Sequence, residues 1–147
     1  MSQIRVVLGG VLAVWAAVFL VPASVATGAQ AAPTLDDGVF TDAQAKRGQA
    51  VYTQRCAGCH GPDLTGGPQA PPLDGPVFRF KWRQEPLSAL FIKIRYTMPP
   101  NAADTATLTA EQGADLVAHI LETNRFPSGK ADFSAADAAT WIGVNAP

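Results

Sequence analysis

The chain of 147 residues places its only two cysteines within four positions, with a histidine directly after them, in the segment CAGCH. Cys56 and Cys59 are three residues apart, so on a helical turn both thiols project from one side. His60 directly follows Cys59 and places an imidazole next to the two thiols. The fold must therefore bring two thiols and an imidazole to one site, and the chemistry of that site depends on the compartment.

The N-terminus is typical of an exported protein. Arg5 is followed by the uncharged apolar segment Val6–Val21 and then by small residues that end in AQAA. This order predicts a signal peptide over residues 1–31, cleaved after Ala31 or alternatively after Ala26. An uncleaved membrane anchor is the other interpretation, but the apolar run is shorter than the ~20 residues that span a bilayer. We therefore expect a periplasmic protein in an oxidising compartment, with no membrane association after cleavage.

The size and charge of the mature chain limit its class. About 116 residues remain after cleavage, which is the size of one domain. We expect a linker over residues 32–40, a folded domain over 41–127 and a tail over 128–147. The whole chain has 11 basic and 12 acidic residues. Nucleic-acid binding needs a basic surface, which this balance does not favour, so we expect no nucleic-acid partner.

In an exported protein, C-x-x-C-H is the attachment signature of c-type haem. Each thiol can add to one haem vinyl group, and His60 can then bind the iron. A thioredoxin-like pair needs a βαβ context that the sequence lacks, and a Cys56–Cys59 disulfide closes too small a loop to stabilise much. A structural zinc site usually needs four ligands, and only these three residues and the distant His119 could supply the usual set. One covalent haem c with its iron is therefore the predicted cofactor.

Met98 is the candidate ligand for the opposite side of the iron, because it is the only methionine left after signal removal. It lies in TMPP, where Pro99 and Pro100 prevent a helix and hold Met98 in an extended segment. Ligation by histidine and methionine raises the reduction potential, as an electron carrier requires. The alternatives are that Met98 only fills an apolar gap, or that His119 is the ligand. For His119 we expect a solvated position on the last helix instead.

Three main helices and no strand are predicted, so the fold class is all-α. The first follows the N-cap Thr41 of the capping box TDAQ and continues to about Cys56. Gly48 inside it indicates the close approach of another helix, since glycine costs ~1 kcal/mol there. The second begins at Pro86 and ends before TMPP. The third follows Thr109, the N-cap of the capping box TAEQ, and ends at FPSG.

The segments between and after these helices are irregular. Residues 61–76, GPDLTGGPQAPPLDGP, are too rich in Gly and Pro for a regular helix and are predicted to form a long loop. Such loops are uncommon in compact domains unless they are functional, so we expect this one to wrap a ligand. The tail is predicted to add a short helix, capped by Ser134 and anchored by Trp141.

Together these motifs resemble those of the class I cytochromes c, which are small monohaem proteins. The resemblance spans roughly residues 41–127 and rests on CAGCH, on GxxxY at Gly48–Tyr52, on PPL at Pro71–Leu73 and on TMPP, in the family's order. The family fold implies an all-α domain with long loops wrapped around one haem. Its GxxxY face would cross the C-terminal helix over Leu116–Leu121.

The resemblance also implies roles for individual residues. His60 is expected to donate a hydrogen bond to the carbonyl of Pro71, which would fix the orientation of its ring. Leu73 is expected to contact the haem face. Trp82 or Arg79, in FRFKWRQ, is expected to lie near a haem propionate, with core packing as the alternative role of Trp82.

The family implies an electron carrier and not an enzyme. Redox proteins are the expected partners, with a dehydrogenase as donor and an oxidase or another cytochrome as acceptor. The segment Leu121–Gly129, LETNRFPSG, resembles the end of cytochrome modules that accept electrons from periplasmic quinoprotein dehydrogenases. A tightly bound subunit of such a dehydrogenase is the alternative function. A haem enzyme with an open sixth site is a third, which would require that Met98 does not bind the iron.

Overall fold

A computed structural model of the chain describes residues 34–82, 85–134 and 136, all within the unit Ala31–Pro147. This part of the chain contains six α-helices, one 3₁₀ turn (Leu35–Asp37) and no strand, which confirms the all-α fold class. None of the described helices is long and apolar enough to cross a membrane. The helices are α1 (Asp42–Arg55), α2 (Ala57–His60), α3 (Gly75–Trp82), α4 (Leu87–Thr97), α5 (Ala102–Ala106) and α6 (Ala110–Thr123).

Helices α1 and α6 cross at close range and form the main helix pair of the domain. Gly48 makes this approach possible, because a Cβ atom there would lie 1.8 Å from the carbonyl oxygen of Asp115 on α6. Ala45 and Tyr52 lie on the same face of α1 and are buried. The predicted close approach at Gly48 is confirmed.

Helix α6 forms the centre of the core. Nine consecutive residues, Gly113–Leu121, are buried, because α1 and α4 pack on different faces and a cavity adjoins a third. Its capping box is confirmed: the Thr109 hydroxyl accepts from the Gln112 N–H at 3.1 Å, and the Gln112 side chain accepts from the Thr109 N–H at 3.0 Å. The helix ends at Thr123 with Asn124 as C-cap, slightly before the predicted stop at FPSG.

Helix α4 follows Pro86 as predicted and buries an apolar stripe that includes Leu90 and Ile94. It continues one residue into TMPP, through Thr97. Met98 is then extended, with φ −127° and ψ 141°, because the residue before a proline avoids the helical region. The extended conformation predicted for Met98 is confirmed.

Helices α3 and α5 were not predicted. Helix α3 begins at Gly75, inside the segment predicted to be a loop, so that prediction is wrong for its last two residues. The Asp74 carboxylate accepts from the Gly75 N–H at 2.5 Å, directly before the helix. Pro76 is tolerated as the next residue because an N–H in the first turn has no partner within the helix. The Gly- and Pro-rich composition therefore led to a loop prediction for the start of α3, a helix that borders the cavity described below.

The predicted linker and the first part of the predicted tail belong to the packed domain. Phe40 is fully buried, and its carbonyl accepts from the Gly129 N–H at 2.6 Å. Phe133 is buried, and its N–H and carbonyl both bond the Gln44 side chain at 2.7 Å. Gln44 therefore does not close the predicted capping box of α1, although its N–H does bond the Thr41 hydroxyl. The predicted signal peptide and the tail beyond residue 136, with Trp141, lie outside the described residues.

Candidate haem site

One largely apolar cavity lies between α2, the loop that follows it, α3, α4 and α6. The cavity therefore brings together side chains from Tyr52 to Ile120, which are 68 positions apart in the sequence. Arg79 of α3 is not among the described residues that line it. The other predicted site residues all line it: Cys56, Cys59, His60, Pro71, Leu73, Trp82 and Met98.

The attachment segment continues directly from α1. The Cys56 N–H bonds the Tyr52 carbonyl at 2.8 Å, and the His60 N–H bonds the Cys56 carbonyl at 3.0 Å. The Tyr52 hydroxyl reaches over the segment and donates to the Gly61 carbonyl at 2.6 Å. Burial raises the pKa of Tyr52 to about 12, so the hydroxyl keeps its proton at neutral pH. Tyr52 thus joins the helix crossing to the end of CAGCH, a role beyond the packing role read from the sequence.

Both cysteines carry free thiols. Cys56 is half-buried in the cavity wall, and burial raises the pKa of its thiol to about 11, so it is uncharged at neutral pH. Cys59 is exposed, with its sulfur 3.4 Å from Oε1 of Gln69. Among the described residues, no group of three or more His, Cys, Asp or Glu side chains is arranged to hold a metal ion. The zinc alternative therefore finds no support here.

The His60 imidazole is oriented by the loop below it. Its Nδ1 lies 2.8 Å from the Pro71 carbonyl oxygen. A carbonyl only accepts, so Nδ1 is the donor of this hydrogen bond, and Nε2 is the ring nitrogen left to bind a metal. Gly66 permits this arrangement: its φ is +81°, and a Cβ there would lie 2.6 Å from the Pro72 nitrogen. Its N–H also bonds the His60 carbonyl at 2.8 Å.

Asn124 holds the PPL segment from the other side and was not recognised in the sequence. Its Nδ2 donates to the carbonyls of Leu73 and Ile120, each at 2.9 Å. Its Oδ1 accepts from the Gly75 N–H at 3.2 Å. One buried amide therefore fixes the end of α6, the cavity-lining Leu73 and the start of α3. An asparagine next to a predicted helix end was the only signal for this role.

Met98 lies half-buried in the wall formed by α4 and the two prolines after it. The Thr105 hydroxyl bonds the Pro99 carbonyl, so α5 holds the Met98 segment from behind. Arg55, beside Cys56, donates to the Thr107 hydroxyl at 2.7 Å. The attachment segment and the Met98 segment are therefore joined through α5, a connection that was not predicted.

His119 is buried at the helix crossing, with 6% of its surface exposed, so the predicted solvated position is wrong. Its ring lies 5.4 Å from the Tyr52 ring. Burial lowers its pKa, and Nδ1 has no hydrogen-bond partner within the described part of the chain. Glu122 Oε2 lies 3.9 Å from that nitrogen. His119 is not among the described residues that line the cavity, whereas Met98 is.

This cavity is chemically suited to a haem c. It offers two thiols for vinyl groups, an imidazole with Nε2 available, a thioether, and apolar walls from four helices and a loop. Thioether, imidazole and thiolate groups are the ligands and anchors that proteins use for haem. The donor set fits iron porphyrin chemistry better than it fits a bare divalent ion.

Comparison with known proteins agrees with this geometry. Residues 43–120 match the family described as "Cytochrome C oxidase, cbb3-type, subunit III". Cytochrome c-551 of Bacillus subtilis is 34% identical over 71 residues, which are 47% of this chain and 59% of that protein. The chain thus spans less than two thirds of this relative.

Among solved structures, the sulfane dehydrogenase SoxCD from Paracoccus pantotrophus is similar, with a TM-score of 0.52 and 19% identity. The match covers 75% of this chain and 62% of that one. At this identity it supports the fold alone. Because the family match covers more than half of the chain and includes CAGCH, this protein belongs to that cytochrome c family and is a class I c-type cytochrome with haem c as its cofactor.

Proposed function

We propose that this chain is an exported, periplasmic carrier of single electrons, with its haem attached through Cys56 and Cys59 and its iron ligated by His60 and Met98. One observation carries the proposal: these four side chains line the same apolar cavity. They come from two segments that the sequence separates by 37 residues. The cytochrome c relatives of this chain support an exported location, because such proteins are typically exported.

The protein's own groups have separate tasks in this proposal. When bound, haem supplies one-electron exchange between ferrous and ferric iron. The Nδ1–Pro71 hydrogen bond keeps the His60 ring in one tautomer and one orientation. Met98, on the segment between α4 and α5, would be the second protein ligand that holds the haem iron. With His60 and Met98 both holding the haem, the site would support electron exchange without binding a substrate.

For the haem propionate contact we propose Trp82 instead of Arg79. Trp82 lines the cavity and carries one N–H donor, whereas Arg79 is outside the lining. The Trp82 ring packs against Phe78 at 6.2 Å between centroids. Replacing Trp82 with Phe keeps that packing and removes the donor, so a change in reduction potential without loss of folding would support the contact.

The direct test is a potentiometric titration of the purified holoprotein, followed by addition of carbon monoxide to the ferrous form. We expect a reversible one-electron transition and no rapid uptake of carbon monoxide. Immediate binding would show an open sixth site and contradict the carrier proposal. Mass spectrometry of protein from the periplasmic fraction would test both cleavage after Ala31 and the mass added by covalent haem.

A stable subunit of a dehydrogenase is the second candidate. The similar solved structure is a sulfane dehydrogenase, and LETNRFPSG resembles modules that serve quinoprotein dehydrogenases. However, Asn124 and Phe126 of this segment are buried and hold the domain together, so their presence does not require a partner. Co-purification of a dehydrogenase at fixed stoichiometry through gel filtration would favour the subunit, and a monomeric haem protein would favour the free carrier.

A further inference from the structure

The short helix α5 follows the Met98 segment, and hydrogen bonds join it to two different parts of the chain. The Thr105 hydroxyl donates to the carbonyl of Pro99, the residue after Met98. The Thr107 hydroxyl, at the end of α5, accepts from the Arg55 guanidinium at 2.7 Å. This helix of five residues is therefore bonded both to the Met98 segment and to α1.

The bond from α1 starts beside the haem attachment segment. Arg55 is the last residue of α1, directly precedes Cys56 and lines the cavity. It also donates to the Asp104 carbonyl at 3.4 Å. Within the described part of the chain, both hydrogen bonds between α1 and α5 come from this guanidinium. The hydrogen-bonded connection of α5 to the attachment segment therefore depends on one side chain.

The acceptor of this bond is itself held in one orientation. The Thr107 hydroxyl donates its own proton to the Asp104 carbonyl at 2.8 Å, so the lone pairs of its oxygen are left to accept from Arg55. The Thr107 N–H bonds carbonyls of α5 as well. Valine in place of Thr107 would remove this acceptor and would keep both the shape of the side chain and the charge of Arg55.

We propose that Arg55 and Thr107 are positioning residues for Met98, because through α5 they keep the Met98 segment at the cavity. This inference rests on the proposed ligation of the haem iron by His60 and Met98. A bond that is made only while Met98 is in place favours that state over one in which the segment has moved away. An external ligand of the iron binds only the second state, so its apparent affinity measures how often that state is populated.

The test is a titration of the oxidised holoprotein with imidazole, followed by the loss of the far-red sulfur-to-iron absorption band. The variants are Thr107→Val, which removes the acceptor, Arg55→Met, which removes the donor, and the double variant. Thr53→Val is the matched control, because the Thr53 hydroxyl bonds the Gln49 carbonyl within α1, at 2.9 Å. We expect each single variant to bind imidazole about tenfold more tightly than the wild type, and the control to bind it equally. The double variant should gain no further affinity, because both substitutions break the same link.

Imidazole affinities equal to that of the wild type would overturn the inference and leave the carrier function intact, even if the variants were less stable to denaturant, because the link would then only stabilise the fold. The inference would also be overturned if Arg55→Met alone changed the affinity or the reduction potential, because Arg55 would then act on the haem directly. A far-red band that is absent from the wild type would instead contradict ligation by Met98, on which the proposed function itself depends.

Discussion

The two sides of the domain are held together in different ways. At the α1–α6 crossing, side chains and backbone meet directly, and Gly48 leaves no room for even one methyl group beside Asp115. On the cavity side, α3 and the PPL segment are held largely by hydrogen bonds from Asn124, His60 and the loop backbone around an apolar space. The α1–α6 crossing is packed by protein atoms alone. The cavity side surrounds an apolar space in which haem c would be held.

We therefore expect the stability of the domain to have two sources, the α1–α6 crossing and the group bound in the cavity. Tyr52, Leu116 and Ile120 belong to the crossing helices and also line the cavity. Burial of apolar surface by a bound group stabilises only the folded state. Because α1 and α6 form part of the cavity wall, loss of the bound group should destabilise both the helix crossing and the cavity side. Substitutions confined to one side should show how much that side contributes to the free energy of unfolding.

The largest effect is expected from removal of the covalent attachment. The variant Cys56→Ser with Cys59→Ser should yield a largely unfolded apo-protein, because the walls from α3, α4 and α6 would face water. Circular dichroism and an NMR spectrum measure this. A well-dispersed, native-like spectrum would show that the crossing folds the domain by itself.

Gly48→Ala should strain the crossing without replacing any side chain that lines the cavity. The added Cβ would meet the Asp115 backbone, which cannot rotate away, so we expect a loss of about 3 kcal/mol in the free energy of unfolding. Gly58→Ala is the matched control, since a Cβ there meets nothing within 4 Å. Denaturant unfolding of the holoproteins compares them. Equal stability of the two variants would contradict the close crossing.

Asn124→Ala should weaken the connection between the two sides. It removes the Asn124 donor from the Leu73 carbonyl and one of the two acceptors of the Gly75 N–H, which keeps the Asp74 carboxylate. We expect a cost of about 1–3 kcal/mol. Asn101→Ala is the control, because Asn101 is exposed and caps only the short α5. Hydrogen exchange should speed up at Leu73 and Gly75 in the first variant. Unchanged exchange there would show that Asn124 does not hold the loop.

His119 should give the crossing a smaller, pH-dependent contribution. Burial lowers its pKa in the folded state, so below pH ~6.5 the unfolded chain binds the proton more readily and stability falls as pH decreases. The slope from one proton is at most about 1.4 kcal/mol per pH unit. The exposed carboxylate of Glu122 favours the protonated form of His119 and therefore weakly opposes this pH dependence. Unfolding of wild type and His119→Leu at pH 5 to 8 should show a shallower slope in the variant; parallel curves would argue against this role.

The sequence predicted best where local chemistry determines the structure. The caps Thr41 and Thr109 and the apolar spacing located α1 and α6, and Pro99 determined the extended Met98. Helix α3 was missed because Gly75 and Pro76 are typical of loops, although both are compatible with a helix start. Each of these outcomes depends on residues within one or two turns.

The unpredicted features depend on contacts between distant segments. Gln44 satisfies the capping pattern, yet its side chain bonds the Phe133 backbone, 89 residues away. His119 was expected in solvent because Leu116–Leu121 already supplied a buried face, but α6 is covered on several sides. The shared cavity of Cys56 and Met98 was predicted because Met98 is the only methionine of the mature chain and because its TMPP segment resembles that of the family. Residue spacing did not predict it, since spacing does not determine how a chain folds back on itself.

The central claim is that the cavity side is organised around an iron whose axial ligands are His60 and Met98. The most direct test is the absorption spectrum of the oxidised holoprotein, compared with Met98→Ala and with His119→Leu. We predict a weak far-red sulfur-to-iron band that is lost in Met98→Ala and retained in His119→Leu. A band that is absent from the wild type, or one that survives Met98→Ala, would contradict the account.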